Sequence, residues 1–143
     1  MIQIKIKKLN PEAIIPKYAH PGDAGMDLFS CEEHVLKPGE IKIFGTGLSI
    51  EIPEGYVGLF WDKSGIGANG IKVFGGVADC HYRGEYKVIL NNLSQENYEI
   101  KKGQKIAQLL IQPIETAEII EVDEKLSETK RGDGGFGSTG LNL

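Results

Sequence analysis

Several short stretches carry residue types that can do chemistry on an anionic ligand. DKSGIG (62–67) puts a cation, a hydroxyl and two glycines around an apolar residue. Backbone N–H groups freed by glycine at a helix start form an anion site, and Lys63 would add charge to it. The same letters also describe a plain Ser-Gly turn with a solvated lysine. GGVADCHYRGE (75–85) sets Asp79 in a small, apolar run whose glycines admit a ligand or another backbone closely. A carboxylate there is costly unless it has a partner or a task. Orienting and deprotonating a water is such a task. Closing a hairpin turn is the plainer one. His81 has no second histidine at ligand spacing and reads as a turn or surface residue. AGMDL (24–28) brings Asp27 to a strand start. In GQKIAQLL (103–110), Gln108 interrupts an apolar strand, where a buried amide must be hydrogen-bonded, most often to backbone.

The elements that must hold these residues read mostly as strands. Ile2, Ile4 and Ile6 alternate with Gln3, Lys5 and Lys7, and Leu48, Ile50 and Ile52 with Ser49 and Glu51. That is the period of a half-buried strand. Further strands are expected over Tyr56–Trp61, Ile71–Phe74, 86–91, 106–111 and 117–122. Turn chemistry separates them in KPGE (37–40), PEG (53–55) and KG (102–103). There is no long 3.6-residue stripe. At most one short helix is expected, near Ser64, where the serine can cap a first turn. Many short strands at short spacing imply an all-β sandwich or barrel.

Bulk properties narrow the function. The 143 residues suit one domain, long enough to bury a core without disulfides or a structural metal. A net charge of -4 makes a poor non-specific nucleic-acid binder, though a few placed cations still hold a small anion. Two cysteines, Cys31 and Cys80, stand outside any CxxC and fit a reducing compartment. No apolar run reaches the length of a membrane span, and MIQIKIKKLN lacks the apolar centre of a signal peptide. A cytoplasmic protein without membrane contact is the expectation. The chain divides into a core over 1–122 and a polar, then glycine-rich, arm over 123–143. RGDGGFGSTG (131–140) cannot pack on its own. It is either a frayed end or an arm that orders on a ligand.

In this order, AGMDL, DKSGIG, GGVADCHYRGE, GQKIAQLL and RGDGGFGSTG resemble the five motifs of the trimeric dUTP pyrophosphatase (dUTPase) family, across nearly the whole chain. The resemblance implies a jelly-roll-like, distorted β-barrel subunit and a homotrimer with shared active sites. It implies hydrolysis of dUTP to dUMP and pyrophosphate with Mg2+, which supplies dUMP for thymidylate synthesis and keeps uracil out of DNA. By matching position, Asp79 would activate the water that attacks the α-phosphorus. The Tyr82 ring would pack on the deoxyribose and exclude a 2′-hydroxyl. Backbone along Gly76, Val77, Ala78 and Asp79, and near Lys87, would read the uracil edge. Lys63, Ser64, Gly65 and Gln108 would contact phosphates. Arg131 and Ser138 would clamp the γ end, Phe136 would stack on uracil, and Gly137 would also bind the substrate. Asp27 would support the metal through its water shell. The chain departs from the family pattern at Lys63, where Arg is usual, at Ala78, where a larger aliphatic is usual, and at Cys80 and His81. Asp62, beside Lys63, is expected to pair with it. The related dCTP deaminases share the fold but expect Glu in place of Asp79. A non-catalytic nucleotide sensor on the same trimer is the reading from another class.

Overall fold

The computed structural model describes residues 2–135. Phe136, Gly137 and Ser138 lie outside the described residues. Eleven strands and one four-residue helix follow in order: β1 (Lys5–Lys8), β2 (Gly25–Phe29), β3 (His34–Leu36), β4 (Ile41–Gly45), β5 (Leu48–Glu51), β6 (Tyr56–Trp61), α1 (Ser64–Gly67), β7 (Ile71–Phe74), β8 (Val77–Ala78), β9 (Lys87–Asn92), β10 (Tyr98–Ile100) and β11 (Lys105–Pro113). They form a four-stranded sheet β2-β11-β6-β8, a three-stranded sheet β4-β9-β7, and two small ladders, β1-β5 and β3-β10. Every pairing is antiparallel. The chain is all-β and jelly-roll-like, but the four sheets do not close into a continuous barrel.

The core lies between the two larger sheets. Leu28, Ile106 and Leu109 bury fully from one; Phe44, Val88 and Leu90 bury from the other. Each such aliphatic contributes about 1.5–3 kcal/mol by leaving water. The alternation in β5 works as its sequence suggests: Leu48, Ile50 and Ile52 are buried, while Ser49 and Glu51 are half-buried. Gly55, in the expected turn before β6, has φ 79°, a conformation glycine adopts without a Cβ penalty.

Four expectations need correction. Residues 117–122 form no strand: the last strand ends at Pro113, and Ile119 is 95% exposed. An apolar run needs a ladder partner, and no described residue offers one. The strand expected from residue 86 begins at Lys87. That expected at the N-terminus begins at Lys5, where Glu51 on β5 becomes available as partner. Helix α1 is capped by Lys63 and not by Ser64, which is its first helical residue, and no side chain bonds the cap.

Candidate active site

The four-stranded sheet gathers the polar residues by register. Gln108 on β11 stands opposite Asp27 on β2 and opposite Trp61 on β6. The chain leaving Trp61 enters Asp62, Lys63 and α1, so this row ends beside Asp27. Lys63 Nζ donates to Asp27 Oδ1 at 2.7 Å, and Gln108 Nε2 donates to the Asp62 carbonyl at 2.8 Å. The half-buried amide thus bonds backbone, the usual partner of a glutamine in an apolar strand. Lys105 Nζ takes the other Asp27 oxygen at 2.7 Å. A β-bulge between Lys105 and Ala107 breaks the two-residue phase of β11, which lets Ile106 and Ala107 both bury while Lys105 reaches Asp27.

Asp27 is therefore not at a strand start. It sits mid-strand at 3% exposure with an ammonium on each oxygen. Burial pushes its carboxyl up, but the hydrogen bonds and charges of Lys105 and Lys63 outweigh that and hold it below the usual carboxylate value. A lowered folded pKa stabilises above the unfolded pKa and is lost as pH falls through the folded one. Asp27→Ala is accordingly expected to lower stability by on the order of 2 kcal/mol at neutral pH. That is less than for a fully buried pair, because both lysines can turn to water. The gap to wild type should shrink as pH falls below about 4. Chemical denaturation of both proteins across pH checks this; a gap that widens in acid refutes it.

The expected Asp62–Lys63 pair does not form. The Asp62 carboxylate bonds the Lys72 ammonium and accepts from the Val73 N–H at 2.7 Å. Neighbouring side chains at a strand end diverge, and β7 supplies closer donors. Burial raises the Asp62 pKa, but Lys72 and the Val73 N–H bring it below the usual value. Ser64 and Gly65 are exposed, and their first-turn N–H groups have no intrahelical acceptor.

The third motif builds a separate feature, a cleft of about 330 Å3 between the two larger sheets. Its walls include Gly76, Val77, Ala78, Asp79, Tyr82 and Lys87. Gly76 has φ 113°, and a Cβ there would come within 2.9 Å of the Phe60 carbonyl, so only glycine lets β8 lie this close to β6. β8 is two residues long and is followed by Asp79, whose carbonyl accepts from the Tyr82 N–H at 3.0 Å. That turn presents the exposed Asp79 carboxylate at the rim, with no donor bound to it among the described residues. The hairpin-turn role and the water-activating role are thus compatible, because the turn uses backbone alone. Tyr82 folds its hydroxyl onto the Glu85 carbonyl at 3.0 Å. His81 is exposed, as expected.

The structure brings Gly76, Val77, Ala78, Asp79, Tyr82 and Lys87 together, and separately Asp27, Lys63 and Gln108. Within one chain the second group does not line the cleft. Arg131 joins neither: its Nε donates to the Gly134 carbonyl in the exposed tail. Sequence reasoning missed Lys105, whose reach depends on the bulge, and Tyr86, which showed only as a strand start.

Fold and cleft place the chain among small all-β proteins with an open cleft between two sheets. The dUTPase family model matches residues 11–140. The chain is 51% identical to the deoxyuridine 5′-triphosphate nucleotidohydrolase of Clostridium kluyveri, over 97% of this chain and 99% of the relative. Its identity to that of Nautilia profundicola is 53%, with the same coverage. Among solved structures it is similar to the dUTPase of Staphylococcus bacteriophage 80alpha with dUPNHPP. There the TM-score is 0.92 at 32% identity, covering 99% of this chain and 100% of that one. A dUTPase from phage phi11 of S. aureus, in a structure that details coordination of a structural Mg(II) ion, matches with TM-score 0.82 at 30% identity, over 88% of this chain and 100% of that one. The chain belongs to the dUTPase family.

Proposed function

We propose that this chain hydrolyses dUTP to dUMP and pyrophosphate. The observation that carries this is Asp79 at the cleft rim, beside Tyr82 and the close-packed edge of β8. In this reading Asp79 orients a water and takes its proton as the water oxygen attacks the α-phosphorus. The bond from that phosphorus to the bridging oxygen breaks, and pyrophosphate leaves. The Tyr82 ring packs on the deoxyribose. Backbone of Gly76, Val77, Ala78 and Asp79, and near Lys87, reads uracil. Fixed donors and acceptors there reject cytosine, whose polar edge would stay unpaired. Lys63, Ser64, Gly65 and Gln108 meet the phosphates.

Among the described residues no three His, Cys, Asp or Glu side chains cluster as a metal cage. Mg2+ needs none, since phosphate oxygens and water fill most of its shell. A carboxylate offers about four acceptor positions, and the lysines take one on each Asp27 oxygen. Asp27 can therefore still accept from a water of the ion's shell. Bound with the substrate, the ion would supply charge neutralisation, a main demand of triphosphate hydrolysis.

We further propose a homotrimer whose copies complete one another's sites. The last described strand ends at Pro113, and the arm over 123–143 brings Arg131, Phe136, Gly137 and Ser138 to a neighbour. The separation of the two residue groups within one chain supports this. So do Ile119, Ile120 and Leu126, which are exposed on an extended segment and suit burial against another copy. The free cysteines suit a cytoplasmic location. No helix among the described residues is long and apolar enough to cross a membrane.

The deciding experiment is pyrophosphate release from dUTP, UTP, dTTP and dCTP with Mg2+. Release from dUTP with little from the others is expected. Ammonia from dCTP, or intact dUTP, overturns the reading. Lys63 gives a finer test. Asp62 does not neutralise it, so its ammonium exchanges Asp27 for phosphate. Lys63→Ala should lower kcat/KM by roughly 10-fold or more, since hydrogen bonds to charged groups are worth about 1.5–3 kcal/mol. Lys63→Arg should retain activity through its planar fork. Wild-type kinetics in Lys63→Ala would confine Lys63 to its bond with Asp27.

A further inference from the structure

Tyr86 is the largest fully buried side chain, at 1% exposure. Its hydroxyl and Asn91 Oδ1 are the buried side-chain polar atoms without a hydrogen-bond partner among the described residues. Native interiors rarely leave such a group unpaired, and phenylalanine would fill the same space without the burden. Asn91 lies away from the cleft; Tyr86 forms part of its wall. The Tyr86 ring packs at 5.6 Å from Phe60 and 5.8 Å from Tyr82, centroid to centroid. Ala78 stands in the same wall. Burial pushes the phenol up to about 12, with smaller effects from Arg83, Tyr82, Asp79 and Cys80, the groups of the turn above it. It therefore stays neutral at working pH, with a proton to donate.

We infer that the Tyr86 hydroxyl is a further ligand-contacting group, donating a hydrogen bond to the sugar–base half of the bound nucleotide. This deepens the dUTP reading and rests on it. The nucleoside half is assigned because the wall around Tyr86 is β8 and Tyr82, whereas Lys63, Lys105 and Gln108 lie outside the cleft. The Tyr82 ring lies against Tyr86 with its hydroxyl tied to the Glu85 carbonyl. A nucleotide that draws the Tyr82 ring onto its sugar uncovers the phenol beneath.

Tyr86→Phe tests this, with dUMP binding by calorimetry, dUTP kinetics and thermal melting on both proteins. The expected result is a rise of about 3- to 10-fold in both the dUMP Kd and the dUTP KM, the scale of one neutral hydrogen bond. kcat should stay within about 2-fold, and Tm should not fall, since a buried unpaired hydroxyl has been removed. Wild-type affinity for dUMP in Tyr86→Phe overturns the inference and leaves the dUTP reading intact. A penalty with dUTP but none with dUMP would move the contact to the phosphates and overturn it as well. Wild-type protein that neither binds dUMP nor hydrolyses dUTP overturns the activity and the inference together.

Discussion

Asp79→Asn is expected to fold, to bind dUTP and to lose about 10²-fold or more in kcat, the usual scale for a positioned general base. The folding half follows from exposure: the carboxylate stands at the rim with no donor on it among the described residues. Exposed substitutions without partners stay within about 0.5 kcal/mol. The turn it begins is held by its backbone carbonyl to the Tyr82 N–H, which Asn preserves. The kinetic half follows from chemistry. Asn keeps the shape and can still orient a water, but cannot take its proton. Single-turnover rates alongside dUTP binding separate the two halves. Near-normal turnover removes Asp79 from the reaction; lost binding with lost turnover gives it a structural role.

A chain ending at Lys130 is expected to remain a folded trimer and to lose activity by roughly 10²–10⁴-fold. That range joins a charge-assisted clamp from Arg131 to stacking by Phe136, each worth about 1–3 kcal/mol. The last described strand ends at Pro113, and no described residue after it belongs to the core, so no described core packing is removed by the truncation. Light scattering at micromolar concentration should report three copies for both chains, with an unchanged Tm. A drop in Tm would make the arm structural; a monomer would refute shared sites.

What the sequence disclosed depended on how local each cause was. β6 and β7 match their expected bounds because turn residues flank short apolar runs on both sides. β2 was harder: Met26, Asp27, Leu28 and Phe29 are all buried, so the strand shows no alternation. β8 is too short to show a period at all. Residues 117–122 misled because composition carries strand propensity but not the presence of a partner. In the site, Asp79 stood out as a lone acid among glycines, open to a turn role or a water-activating one, while Tyr82 came only from the resemblance to the family. The Asp27–Lys63–Lys105 cluster was not. Its members are brought together by sheet register and one bulge, and Lys72 withdraws Asp62 from across β7.

The segment that follows Ile114 has a consequence for the lifetime of the protein. Ile114 makes the last backbone bond to the body of the fold, from its N–H to the Gly55 carbonyl at 2.9 Å. Beyond it the described chain has no ladder, and it is exposed as far as Asp133. Proteases bind substrates as extended strands, and ordered chain must first unfold to fit them. Here no unfolding is needed in a lone subunit, so endopeptidase cleavage would begin there and leave a stable stump. Assembly would shield Ile119 and Ile120 and slow the cut. Unassembled copies would thus lose their arms first, and the pool of intact chains would be the pool that had found partners.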